Sequence, residues 1–269
     1  MILYYCLTGL ASTVEIRLNP EKYNYSEVPY LENIPACPES ADTDAFVELS
    51  DITMHYLKLG SGGTPLVFIH GNGGNVSSLY PIAGRFSNDY TVYIIDERCH
   101  GQSSNPDIIT YDLMSEDVFE FCNAMELEKP VLIGHSDGAI VALQSAANHP
   151  DYYGGIIAMG ANSRPESAWF QFRFWVRWEN LLQKDKLNDL MLSGPDFTEE
   201  FLSKIECPAY IVSGDADLMP VYDTLYIHNC IEGSDIIVIK GEDHGSYLDD
   251  REMGYSLISS WLQSKGFRE

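Results

Sequence analysis

A serine hydroxyl is a poor nucleophile until a base takes its proton and a third group orients that base. The stretch Val131-Leu132-Ile133-Gly134-His135-Ser136-Asp137-Gly138 puts a serine between two glycines at the two-residue spacing. The apolar run before it reads as a buried strand, and Ala139 to Ala147 after it reads as a helix. This is the pattern of a strand-to-helix elbow that holds the serine Oγ out above a sheet edge. Glycines are needed there because strand and helix crowd the turn, where a side chain at either position would clash. The helix that follows begins with unpaired N–H groups, a favourable place for developing negative charge.

An acid and then a histidine should follow such a serine in chain order. Asp215 and Asp217 lie in Ile211-Val212-Ser213-Gly214-Asp215-Ala216-Asp217, just past a strand end. His244 lies in the glycine-bracketed loop Gly241-Glu242-Asp243-His244-Gly245, past the last strand. Other histidines have quieter readings: His55 falls in an early strand, His149 ends a helix before Pro150, and His228 sits in a helical stretch. His135 is inside the elbow, too constrained to act as base for its neighbour. His244 alone follows a strand in a loop downstream of an acid.

The elements that position these residues alternate. Ala45 to Leu49 and Ile52 to Leu59 read as a hairpin around Ser50-Asp51. Pro65 to Ile69 is a continuous apolar run, as expected of a strand buried on both faces. A helix near Ser77 to Phe86, a strand Thr91 to Ile95 and a helix Leu113 to Met125 lead to the elbow. Strands Gly154 to Met159, one ending at Ile211 to Gly214, and Ile236 to Ile239 come after it, with a last helix from about Glu252 to Gln263. Such alternation predicts an α/β fold, a mostly parallel sheet with helices on both faces.

Two segments stand apart. Residues 1 to 45 form an N-terminal arm or extension, in which Ser12 to Leu18 alternates like a half-buried strand and an acidic, proline-containing stretch reads as loop. Between Met159 and Pro208 lie roughly fifty residues, far more than an ordinary crossover. They hold Trp169, with Phe170, Phe174 and Trp178 at i, i+4 and i+8. A helix here would show one aromatic face. Placed at the strand ends, where open α/β sheets bind ligands, it reads as a small helical cap over about residues 163–204, roofing a substrate pocket with Trp169, Phe170, Phe174 and Trp178.

Composition bounds the partners. Hydrophobic residues make up 45% of 269, enough for a sizeable core. Sixteen basic against 40 acidic residues give a net charge of -24, which argues against nucleic acid and anionic membrane surfaces as partners. A field of that sign mildly favours neutral or cationic substrates. The six cysteines show no metal-ligand or disulfide spacing and read as reduced thiols. No apolar run approaches a membrane span, and Met1 to Ser12 lacks the basic region of a signal peptide. The expectation is a cytoplasmic chain with a small-molecule partner, without metal or cofactor; the oligomeric state is open.

Four motifs fall in one order: H-G-x-G at His70 to Gly73, D-x-R-x-H-G-x-S at Asp96 to Ser103, the elbow at Gly134 to Gly138, and G-x-x-D at Gly214 to Asp217 followed by His244. In this they resemble the α/β-hydrolase superfamily over roughly residues 46 to 265. The resemblance implies an α/β-hydrolase domain over residues 46–269 with the cap inserted in it. It implies Ser136 as nucleophile, His244 as general base, Asp217 as acid with Asp215 as the alternative, and an oxyanion hole from the backbone N–H groups of Asn72 and Asp137. Members that carry the acid after the preceding strand are not matched, since that region reads Gly160-Ala161-Asn162.

Cys99 stands where the superfamily commonly has glycine, and Ala139 follows Gly138 where a second glycine is commoner. Serine at the nucleophile position argues against dehalogenase or epoxide-hydrolase chemistry. The implied activity is hydrolysis of a carboxylic ester through an acyl-enzyme. Lactone or C–C bond hydrolysis on the same residues is the alternative, and a low-turnover small-molecule receptor a third reading. The segment Gly134 to Gly138 is also similar to the branch holding amino-acid-ester (valacyclovir-type) hydrolases. Asp137 then has two readings: a partner for a substrate ammonium, or a cap on its own helix.

Overall fold

A computed structural model of the chain describes residue 14 and residues 16–267. Its strands are β1 (Tyr25–Ser26), β2 (Thr43–Glu48), β3 (Thr53–Leu59), β4 (Pro65–Ile69), β5 (Thr91–Ile95), β6 (Val131–His135), β7 (Gly155–Met159), β8 (Ala209–Gly214) and β9 (Asp235–Ile239). Its α-helices are α1 (Val76–Ala83), α2 (Tyr111–Ala124), α3 (Asp137–Asn148), α4 (Phe170–Gln183), α5 (Lys186–Ser193), α6 (Glu199–Leu202), α7 (Val221–Cys230), α8 (Ser246–Asp249) and α9 (Arg251–Ser264). One sheet runs in the order β1-β9-β8-β7-β6-β4-β5-β3-β2. The β2/β3 and β3/β5 pairs are antiparallel, and every other pair is parallel.

The two-residue period of a strand sorts its side chains into two layers. Val67, Ile69, Leu132, Ile156 and Ala158 pack with α2, α3 and α7 on one face. Leu66, Phe68, Val131, Ile133, Ile157 and Met159 pack with α1 and α9 on the other. Both faces are covered, which is why β4, β6 and β7 need continuous apolar runs where the outer hairpin alternates.

The order reverses beside β6, where β4 lies on one side and β7 on the other. At such a switch point the loops past the strand ends splay apart and leave a crevice. The turn after β4, the elbow after β6 and the loops after β7, β8 and β9 all open on that edge.

Behind it, the Asp96 to Ser103 loop acts as a brace. Asp96 accepts hydrogen bonds from Val76 N at 2.7 Å and Gln102 N at 2.8 Å, and its Oδ2 lies 2.7 Å from His55 Nδ1. Arg98 is buried and grips Asp117 of α2 through two parallel bonds of 2.5 and 2.6 Å. Cys99 adopts a left-handed conformation, φ 67°, the region that favours glycine. Its thiol reaches the Pro106 carbonyl. The five cysteines among the described residues are free thiols.

The arm departs from expectation in one place. Of the Ser12 to Leu18 stretch, Ser12, Thr13 and Glu15 lie outside the described residues, as do Met1 to Leu10 and Ala11. Val14 and residues 16–18 are helical, not extended. Only Ile16 is buried, against Val221, Leu225 and Val238, while Val14 and Leu18 face outward. The alternating letters recorded one anchor, not a sheet face. Further on, β1 extends the sheet beside β9, and Leu31 N donates to Ser256 Oγ at 3.0 Å. Among the described residues no helix is long and apolar enough to cross a membrane.

Candidate active site

Ser136 sits at φ 55°, ψ -118°, a conformation that L-residues adopt only when their surroundings force it. The surroundings do. A Cβ added at Gly134 would lie 2.1 Å from the Gly138 carbonyl oxygen, and one at Gly138 would lie 2.2 Å from that of Ile69. Helix α3 therefore approaches β6 too closely for a side chain at position 134, and β4 too closely for one at position 138.

The serine Oγ lies 2.9 Å from His244 Nε2, and His244 Nδ1 lies 2.7 Å from Asp217 Oδ1. With the carboxylate as acceptor, Nδ1 carries the proton and the Nε2 lone pair faces the hydroxyl. Burial alone would lower the His244 pKa, but the hydrogen bond and charge of Asp217 outweigh it and leave it raised. Burial would raise the Asp217 carboxyl; the His244 contact, Met219 N and the Tyr247 hydroxyl outweigh it and leave it lowered. The carboxylate stays ionised, as an acceptor for imidazolium must.

Asp215 points elsewhere. Its carboxylate accepts from Tyr25 OH at 2.7 Å and from Gly241 N at 2.8 Å, tying the arm to the sheet. The two-residue step from Asp215 to Asp217 divides them between the arm and His244.

Three neighbours that sequence reasoning missed complete the support. Tyr247 is fully buried and donates to Asp217 Oδ2 at 2.8 Å. Trp169 Nε1 donates to the Asp217 carbonyl at 3.0 Å. His135 Nε2 donates to the His244 carbonyl at 2.8 Å. Burial, with the nearby His244, drops the His135 pKa to about 4, so it remains a neutral donor. Only the place of Tyr247 three residues beyond His244, in the same turn, is a signal a sequence reader could have used.

Asn72 lies in the turn after β4, which runs so close to the elbow that a Cβ on Gly71 would come within 2.9 Å of Ser136 Cβ. Asp137 opens α3, where first-turn N–H groups have no partner within the helix. The Asn72 side-chain amide donates to Asp137 Oδ2 at 2.9 Å and to the Leu187 carbonyl of α5 at 3.3 Å. Asp137 is 4% exposed. Burial raises its pKa, opposed by hydrogen bonds from Asn72 and Tyr111. These bonds run to other elements, so the carboxylate is not the cap of its own helix.

A cavity of about 30 Å³ lies over Ser136 and His244. Asp137, Tyr111 and Met219 line it from the sheet side; Phe172, Arg173 and Val176 of α4 with Met191 and Leu192 of α5 line it from above. The expected pocket residues Trp169, Phe170, Phe174 and Trp178 do not line it. Phe174 and Trp178 are 58% and 54% exposed, on the outer side of α4. The inner side is the neighbouring i, i+4 row of Phe172 and Val176. Spacing identifies a face but not the direction in which it points, and here the Trp169 bond to Asp217 sets the start of the helix.

Comparison with known proteins agrees with this architecture. The family described as alpha/beta hydrolase fold matches residues 64–185. With the sheet order, this gives the chain the α/β-hydrolase fold. The serine hydrolase BPHL of Homo sapiens is 24% identical over 256 residues, covering 82% of this chain and 87% of that protein. The sn-1-specific diacylglycerol lipase ABHD11 of Danio rerio is 30% identical over 143 residues, but these are 52% of this chain and 45% of that one. Among solved structures, the enol-lactonase from Burkholderia xenovorans LB400 superposes with a TM-score of 0.68 at 17% identity, covering 81% of this chain and 100% of that one. That likeness concerns the fold alone.

Proposed function

We propose that this chain is a serine hydrolase that cleaves a carboxylic ester of a small or medium substrate through an acyl-enzyme. The hydrogen-bonded row Ser136 Oγ, His244 Nε2 and Nδ1, Asp217 Oδ1 carries this reading. His244 takes the hydroxyl proton as Oγ bonds the ester carbonyl carbon, and the carbonyl oxygen becomes an oxyanion. The backbone N–H groups of Asn72 and Asp137 receive that charge. Collapse breaks the ester C–O bond, and His244 passes its proton to the departing alcohol. Water then repeats the sequence on the acyl-serine, with His244 again as base, and the carboxylic acid is released.

The test is covalent labelling by a fluorophosphonate, which needs an activated serine and no knowledge of the substrate. Ser136 should be labelled in the wild-type protein and not in Ser136→Ala. A wild-type protein that stays unlabelled overturns the reading.

A further inference from the structure

Large apolar side chains on a surface are ordinary when scattered and informative when gathered. Eleven stand exposed among the described residues, and five of them, Phe174, Trp175, Trp178, Leu181 and Leu182, belong to α4. Steps of three and four residues, Phe174 to Trp178 to Leu182 and Trp175 to Trp178 to Leu181, set them on one side of the helix. The Phe170 ring, 6.1 Å from that of Phe174, extends the row. The inner row of Phe172 and Val176 faces the cavity, so α4 packs with one side and leaves its more aromatic side in the open.

The charge beside this row differs from that of the chain as a whole. The protein carries a net charge of -24. Within α4 the only acid is Glu179, and the exposed Arg177 and Lys184 flank the apolar side and its end. A second copy would set -24 against -24 and cations against cations at the rim. An anionic lipid surface meets the same overall repulsion. A zwitterionic phospholipid surface has no net charge to repel the chain. It still presents phosphate oxygens to Arg177 and Lys184, above acyl chains that can take up the rings. Trp, Phe and Leu on one side of a helix, with Arg and Lys at headgroup level, suit the boundary between water and hydrocarbon.

We infer that the outer side of α4 is a docking surface for a zwitterionic phospholipid bilayer. Phe174, Trp178 and Leu181 enter the boundary, and Arg177 and Lys184 meet the phosphates. Among the described residues no helix is long and apolar enough to cross a membrane, so α4 lies in the surface plane. This goes beyond the hydrolase reading and does not rest on it.

The experiment floats the protein with phosphatidylcholine vesicles and titrates the lipid. Wild-type protein should rise with the vesicles. Emission from Trp175 and Trp178 should shift to the blue, and phosphatidylcholine brominated along its acyl chains should quench it. The triple variant Phe174→Ser, Trp178→Ser, Leu181→Ser should lower the partition coefficient by at least about tenfold. Its melting temperature should stay at the wild-type value, because exposed side chains leave no cavity behind. Arg177→Glu should weaken binding by a smaller factor. Phe46→Ser removes an exposed ring from the edge strand β2 and should bind as the wild type does.

Wild-type protein that stays in the lipid-free fraction overturns the inference, as does undiminished binding by the triple variant. So does a wild-type dimer in analytical sedimentation that the triple variant turns into monomer, since the face then belongs to a second copy. Ser136→Ala should bind vesicles as the wild type does, so the loss of the hydrolase reading and the loss of the docking surface are separate results.

Discussion

The side-chain amide of Asn72 donates to the Asp137 carboxylate at 2.9 Å, linking the two residues whose backbone N–H groups are proposed to receive the oxyanion. Asn72→Ala keeps its own N–H but leaves a buried carboxylate short of a donor, which costs about 1–3 kcal/mol. The expected result is a lower melting temperature together with slower fluorophosphonate labelling of Ser136. A variant that labels at the wild-type rate would separate the amide from the oxyanion site.

The pH dependence follows from His244. In the proposed mechanism the neutral form accepts the serine proton, so kcat/KM should rise with pH through the His244 pKa. Burial would place that value below the ordinary 6.5, but Asp217 holds it above. The acidic limb should therefore have its midpoint above the usual histidine value, and Asp217→Asn should move it down while lowering kcat by about 10⁴-fold. His135, neutral down to about 4, adds no second step between the two. A midpoint below 6.5 in the wild-type profile would contradict the ordering of these effects.

Tyr247→Phe removes one donor from the ionised Asp217. A hydrogen bond to a charged group contributes about 1.5–3 kcal/mol, and urea denaturation should show a loss in that range. Activity should fall far less than in Asp217→Asn, because the bond from Asp217 to His244 remains.

Away from the cavity, Arg98 and Asp117 form a buried bidentate pair. Asp117→Ala strands the guanidinium and should destabilise the fold by about 3–5 kcal/mol. Chemical denaturation measures this directly; a loss below about 1 kcal/mol would mean that Asp51, 3.3 Å from Arg98 Nη1, suffices as partner.

The inner and outer sides of α4 should differ in kinetics. Phe172→Ala changes the wall above Ser136 and should alter KM, whereas Trp178→Ser should leave kcat/KM within about twofold, as surface substitutions do. Equal effects would place the outer row back in the pocket.

What could be read from the letters alone was what is decided locally. The turn at Gly134 to Gly138 was recognisable because its glycine spacing is local, although only Gly134 is required by a contact within the strand-turn-helix unit and Gly138 meets Ile69 of β4. Continuous apolar runs mark strands covered on both sides. The preference for Asp217 over Asp215 came from the G-x-x-D resemblance, because the two letters alone do not fix which way either carboxylate turns past the strand end. The side of α4 that faces inward was not, because the Phe170, Phe174, Trp178 row and the Phe172, Val176 row are both helical stripes. Choosing between them requires knowing what Trp169 touches. The bonds of His135 and of the Asn72 amide were invisible for the same reason, since their partners come from other elements, and Tyr247 was marked only by its place three residues beyond His244. Val14 to Leu18 failed differently, since alternation over so few residues fits a helix with one buried anchor.

The void above Ser136, about 30 Å³, has room for about one water molecule. Helices α4 and α5 form the wall above it. The Leu187 carbonyl of α5 accepts from the Asn72 amide at 3.3 Å, which ties that wall to the turn after β4. Displacing α5 would therefore break a bond to the turn that lies beside the serine.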